Sequence, residues 1–259
     1  HSKGLRKGDH IALFIENDIR FYDVVWAALR SGLYLTTVNR YLTAEEAGYI
    51  VDNCEAKAFI ADAELGGPPV DAIAGAPNVL VKLSVGGKLD GFQSLDSFLD
   101  GAPTTDIENP VRGRRMLYTS GTTGRPKGVY KEHEAVELPD WDDSPLGYKP
   151  GVDRNLCTGP AYHAAPFAFD ISRPLTAGAG IVMMDRWDAA TALETIEREK
   201  ITHTHMVATM FHRLLKLPEG LRAKSDLSSL KMIIHGAAPC PVHVKQAIID
   251  WLGPIVWEY

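Results

Sequence analysis

The chain has 259 residues, 45% of them hydrophobic and 23% charged, with a formal net charge of −6. That length and apolar share suffice for a buried core in a soluble globular chain. The mild acidity argues against a general polyanion binder, since nucleic-acid proteins carry a basic face.

No run of about 18 apolar residues marks a membrane span, and no signal peptide is visible. The three cysteines, Cys54, Cys157 and Cys240, are scattered and form no CxxC pair. They read as reduced thiols of a cytoplasmic protein, with no disulfide or zinc framework.

Taken in chain order, short apolar runs alternate with amphipathic stretches. "HIALFI" (10–15) predicts a buried strand and "RFYDVVWAALRSG" (20–32) a helix closed by Gly32. "LYLTTVN" predicts a strand. "TAEEAGYIVDNC" predicts a helix with Thr43 as N-cap and Glu46 completing a capping box. "KAFIAD" and "NVLVKLSV" are strand-like. After a polar stretch at 101–113, "RRMLYTS" predicts one strand. Further on, "IVMMD", "THTHMVA", "KMIIHG" and "IVWEY" predict strands, and "AATALETIEREK", "MFHRLLKL" and "PVHVKQAIIDWLG" helices. The alternation implies an α/β fold with parallel sheets flanked by helices. There is no internal repeat. The chain opens almost directly onto a strand and stops inside another, so it is expected to be truncated at both ends.

One segment departs from the pattern. Residues 131–151 carry Glu132, Glu134, Glu137, Asp140, Asp142 and Asp143 among prolines, and predict a solvated loop. The three aspartates fit no calcium-loop spacing, so no metal is assigned to them. His203 and His205 share one strand face and His212 follows on a helix, yet no clear further ligand completes a zinc set.

The chemistry concentrates in "LYTSGTTGRPKGV" (117–129). A polyanionic phosphate chain needs donors that come close. Gly121 and Gly124 let backbone N–H groups turn toward it. Thr119, Ser120, Thr122 and Thr123 add hydroxyls, and Lys127 adds a full positive charge. The stretch therefore predicts a phosphate cradle. It is not a P-loop, because Pro126 stands where the second glycine should be and Gly128 follows Lys127. "GAGIVM" (178–183) begins a dinucleotide fingerprint without finishing it. No G-x-S-x-G elbow makes Ser120 a hydrolase nucleophile.

T-S-G-T-T-G-x-P-K-G closely resembles the phosphate-loop signature of the adenylate-forming superfamily, which includes acyl- and aryl-CoA synthetases, peptide-synthetase adenylation domains and firefly luciferase. "GPAYHAAPFAF" (159–169) resembles that family's Pro-x-x-His segment, which implies that His163, with Tyr162 beside it, borders the acid and thiol channel. "HGAAPCP" (235–241) resembles the adenine-lining segment, which implies that role for Gly236, Ala237, Ala238 and Pro239. "VWEY" resembles the approach to the next family motif, where Tyr259 would stack on adenine. The family's Mg-binding Glu, ribose-binding Asp and C-terminal catalytic Lys do not occur in matching segments here.

The resemblance further implies Met206, Val207, Thr209 and His235 as acid-pocket candidates, with core packing the alternative for the first three. It implies a large N-terminal domain in two subdomains, 1–105 and 106–259, with the C-terminal domain absent. The expected activity is an ATP-dependent carboxylic acid–CoA ligase using ATP, Mg²⁺ and coenzyme A. A carboxylate attacks the α-phosphate, and the coenzyme A thiol then attacks the acyl-adenylate. Lys127 would offset the meeting of two anions. No Asp lies between His203 and Phe211 to hold an amino group, which favours a plain fatty or alicyclic acid. An aryl-CoA ligase and a non-catalytic nucleotide-binding module are the alternatives. These residues alone are expected to be inactive.

Overall fold

The computed structural model describes residues 1–119, 125–132 and 146–259. The strands are β1 (His10–Phe14), β2 (Tyr34–Thr37), β3 (Ala56–Asp62), β4 (Val81–Val85), β5 (Gln93–Ser94), β6 (Arg114–Arg115), β7 (Leu117–Thr119), β8 (Lys127–Val129), β9 (Arg154–Cys157), β10 (Gly180–Met183), β11 (His203–Met206), β12 (Met232–His235) and β13 (Val256–Glu258). The helices are α1 (Arg20–Arg30), α2 (Ala44–Asn53), α3 (Pro68–Ala72), α4 (Leu95–Leu99), α5 (Ala164–Pro166), α6 (Arg173–Thr176), α7 (Ala189–Glu199), α8 (Ala208–Leu215), α9 (Glu219–Lys224) and α10 (Val242–Leu252). A π-helix, Phe167–Ser172, joins α5 to α6.

The strands form a sheet in the order β5-β4-β3-β1-β2-β6, a second in the order β10-β9-β11-β12-β13, and a two-stranded sheet, β7-β8. Every pairing within the first two is parallel. β7 and β8 run antiparallel. The expected α/β class, with parallel sheets flanked by helices, is what forms.

The chain divides into two compact units, His1–Leu138 and Pro139–Tyr259. The sequence-based division stood at 105/106. β6 pairs with β2, so Arg114 and Arg115 extend the first sheet.

In the first unit, Phe14, Tyr34 and Phe59 pack with Ala47, Ile50 and Val51 of α2. The capping box of α2 is formed: the Glu46 N–H donates to Thr43 Oγ1 and the Thr43 N–H to Glu46 Oε2. Two trapped backbone donors explain why the helix starts at Ala44.

In the second unit, one face of the sheet buries Leu156, Met206 and Ile233 against Leu193 of α7, Phe211 of α8 and Ile248 of α10. The other face packs Ile234 with Leu146, Tyr148, Ala177 and Ala179.

Three sequence expectations need correction. "RRMLYTS" is two strands in two sheets: β6 pairs with β2, and β7 pairs with β8. The break falls at Met116, whose N–H donates to Leu35 O at 2.9 Å. β9, between β10 and β11, was not expected. Its Arg154 and Asn155 broke the apolar pattern, yet Asn155 is buried and hydrogen-bonded. Finally, Leu146 and Tyr148, in the segment expected to be a solvated loop, are 9% and 5% exposed. Two large apolar bodies anchor that end. Residues 133–145 of the same segment, with the aspartates weighed as cation ligands, lie outside the described residues.

Candidate functional site

The candidate residues fall in both units. In the first, the β7–β8 hairpin sets Leu117 opposite Val129, Tyr118 opposite Gly128, and Thr119 opposite Lys127. Ser120, Gly121, Thr122, Thr123 and Gly124 lie outside the described residues. Thr119 and Lys127 are cross-strand partners flanking them, and both are exposed. An alcohol beside an ammonium is a donor pair suited to an oxyanion.

Gly128 is glycine for a steric reason. A Cβ there would collide with Met116 Cε and stand 3.1 Å from Tyr118 Cζ. The bare backbone lets the Tyr118 ring cross the hairpin. Its hydroxyl donates to Asn53 Oδ1 at 2.6 Å, at the end of α2. The Arg125 guanidinium carbon lies 5.2 Å from the centroid of Tyr49 on α2.

In the second unit, β12 runs into Gly236, Ala237, Ala238 and Pro239. Ala237 has φ 66°, a left-handed conformation unusual for a side-chain-bearing residue. A Cβ on Gly236 would meet the Tyr259 ring, with Cζ 2.6 Å away. The ring thus lies directly against peptide backbone. The Tyr259 N–H donates to His235 O at 3.3 Å, which fixes the approach. Tyr259 as a whole is 57% exposed. Two sequence-predicted residues, Gly236 and Tyr259, are therefore brought together.

His163 precedes α5, and its ring is 4.5 Å from that of Tyr162. Burial pushes its pKa down, although the side chain is exposed at the surface. Met206 and His235 are neighbours in the parallel β11–β12 register. Met206 is 1% exposed and belongs to the core with Leu193 and Phe211. His235 is fully buried, its ring 5.3 Å from that of Phe211. Neither of its ring nitrogens finds a hydrogen-bond partner among the described residues. Val207 caps α8 and is half-buried, and Thr209 is exposed in its first turn.

Sequence reasoning missed a buried cluster beneath Tyr259. Asp170, in the π-helix, is fully buried. Its Oδ1 accepts from Asn155 Nδ2 at 2.9 Å and from the His205 N–H at 3.1 Å. The Tyr148 hydroxyl donates to Asn155 Oδ1 at 2.8 Å. Burial raises the Asp170 pKa well above the carboxylate range, despite these bonds. Burial lowers His205 to about 4. The 3.8 Å between His205 Nδ1 and Asp170 Oδ2 is too long for a hydrogen bond. Phe169 stacks on His205 at 5.5 Å and leans on Tyr259 at 4.7 Å. The available signal was an aspartate inside the apolar run "FAFDIS". Among the described residues, no group of three or more His, Cys, Asp or Glu side chains could hold a metal. No helix among them is long and apolar enough to cross a membrane.

A family model described as AMP-binding enzyme matches residues 1–259. The chain belongs to the AMP-binding enzyme family. Among curated relatives of this AMP-binding chain, it is 31% identical over 259 residues to "Probable CoA ligase CCL5" of Humulus lupulus, covering 95% of this chain and 46% of that protein. It is 26% identical to the long-chain-fatty-acid–CoA ligase FadD13 of Mycobacterium tuberculosis, covering 92% of this chain and 46% of the relative. The fold matches the amide bond synthetase McbA of Marinactinospora thermotolerans with a TM-score of 0.81 at 24% identity, over 99% of this chain and 51% of that one. The AMP-binding chain thus spans about half the length of the curated relatives it matches.

Proposed function

We propose that this chain is the nucleotide- and acid-binding part of an ATP-dependent carboxylic acid–CoA ligase of the cytoplasm. The observation that carries the reading is the Tyr259 ring against the bare backbone of Gly236, on a residue that is 57% exposed. An accessible aromatic ring beside a wall without side chains offers a flat base a surface to stack on. Thr119 and Lys127 supply donors for phosphate oxygens, with Ser120, Gly121, Thr122, Thr123 and Gly124 between them in sequence.

The roles follow from chemistry. Attack of a carboxylate on the α-phosphate brings two anions together, and fixed donors stabilise the charge that develops. Mg²⁺ would come with the nucleotide phosphates, since a hard cation takes phosphate and water oxygens. It is assigned to no side chain here. His163, with its pKa lowered, is a neutral imidazole beside Tyr162 and suits the border of an acid and thiol channel. Gly236, Ala237, Ala238 and Pro239 would line the adenine. Val207, Thr209 and His235 remain candidates for the acid side, and Met206 is a core residue that would act through packing.

A fatty or alicyclic acid is the preferred substrate. Two things support it: no Asp lies between His203 and Phe211, and one relative is named a long-chain-fatty-acid–CoA ligase. The aryl-acid reading is favoured by one feature, the Phe169 ring stacked on His205 next to Tyr259.

The test is acid-dependent pyrophosphate exchange by the full-length protein over fatty, alicyclic and aromatic acids, with mass spectrometry for acyl-AMP and acyl-CoA. Exchange with fatty or alicyclic acids supports the reading, and preference for aromatic acids selects the second. No exchange with any acid points to a nucleotide-binding module without catalysis. Lys127→Ala is expected to lower kcat/KM for ATP by about 100-fold, as loss of one transition-state donor does. Unchanged ATP kinetics would overturn its role.

A further inference from the structure

We propose that α2 is the platform that positions the phosphate-loop hairpin, with Asn53 and Tyr118 as positioning residues and Tyr49 and Arg125 as a second tether. The proposal deepens the ligase reading above and rests on it only for what the hairpin binds.

A two-stranded hairpin is marginal in water by itself. Among the described residues, β7 and β8 form such a pair and join neither large sheet. Something else must hold Thr119 and Lys127 at a fixed separation and direction, because donors that wander lose the benefit of preorganisation.

Two tethers reach α2. The Tyr118 hydroxyl donates to Asn53 Oδ1 at 2.6 Å, and Arg125 sits over Tyr49 at 5.2 Å. Asn53 and Tyr49 lie four residues apart, on one face of the helix. One tether is on β7 directly before Thr119, and the other lies two residues before Lys127. The strands between are held as well: Gly128 has no side chain, so Tyr118 and Met116 pack against its backbone. At the far end, the Tyr130 ring stacks on Tyr34 at 5.2 Å, and the Tyr34 hydroxyl donates to Lys131 O at 2.7 Å. Thr119 and Lys127 are left exposed while Tyr118 and Gly128 beside them are packed together. That is the division of labour a binding hairpin needs.

The experiment uses the full-length protein with Tyr118→Phe, Asn53→Ala, the double variant, and Asn53→Asp. Amide hydrogen exchange of residues 117–119 and 127–129 is read without ligand, and KM for ATP and for the acid are read separately. Tyr118→Phe and Asn53→Ala should each speed exchange at these amides and raise KM for ATP about three- to tenfold, as expected for one lost hydrogen bond. KM for the acid should stay within about twofold. The double variant should be no worse than either single one, since both remove the same bond. Asn53→Asp keeps the acceptor and should restore both readouts. Unchanged exchange in both single variants overturns the platform. Faster exchange with unchanged KM for ATP overturns the positioning role. If the wild type turns over no nucleotide, the ligase reading fails, and the exchange measurements alone decide whether α2 holds the hairpin.

Discussion

Gly236 leaves no space for a methyl group, because the Tyr259 ring occupies the place a Cβ would take. Gly236→Ala should displace the ring and weaken AMP binding by the full-length protein about tenfold, roughly 1.4 kcal/mol. Titration calorimetry checks it, and unchanged affinity would remove Tyr259 from the adenine site. Asp170 gives a pH-dependent test. Its folded pKa is raised by burial, so its contribution is fully present below the unfolded value and is lost as pH rises through the folded one. Asp170→Asn keeps an acceptor for Asn155 and the His205 N–H and cannot ionise. The variant should gain stability over the wild type as pH rises from 5 to 8, read as a widening difference in Tm. A constant difference would mean that Asp170 does not titrate there. His205, lowered to about 4, works the other way: its contribution is present above the unfolded value near 6.5 and is lost as pH falls toward 4. These residues also show where the sequence stops being legible. Glycines, hydroxyls and a lysine in one string suggest a phosphate site through local chemistry alone. Asp170 announces nothing until Asn155 and His205, 15 and 35 positions away, close around it.

At the scale of elements, α2 was the most legible. Its Thr43–Glu46 spacing is local chemistry, and the structure forms both bonds. Thr43→Ala should cost about 1 kcal/mol in denaturant unfolding. The Glu46 carboxyl is held below its usual range first by the Thr43 N–H and then by the Thr43 hydroxyl. Its contribution is therefore present above the unfolded value and is lost as pH falls. Elements fixed by distant partners were harder to read. β9 lies between two strands, yet its buried Asn155 looks like a loop residue, because the tyrosine and aspartate that satisfy it are not adjacent in sequence. The helical run from α5 through α6 contains Pro166 and Pro174, which read as breakers. Pro174 sits in the first turn of α6, where its missing N–H is no loss.

For the molecule as a whole, composition and alternation were enough to indicate parallel sheets under helices. Where the chain changes sheets was not, since that depends on pairing across dozens of residues. Each unit also contains one buried thiol, Cys54 in the first and Cys157 in the second, while Cys240 is partly exposed. Burial raises Cys54 to about 11 and Cys157 well above the ordinary thiol value. A thiol reagent should therefore label Cys240 alone in the native protein, and Cys54 and Cys157 only as their own unit opens. Peptide mapping after timed labelling checks this, and early labelling of Cys157 would contradict the packing of β9. Met116 has a consequence for sequence length. It is the single residue between β6 and β7, and its backbone is tied to Leu35. Side chains alternate along a strand, so one residue inserted there would turn Tyr118 and Thr119 to opposite sides. The span from 114 to 119 thus behaves as a spacer of fixed length, intolerant of insertion or deletion.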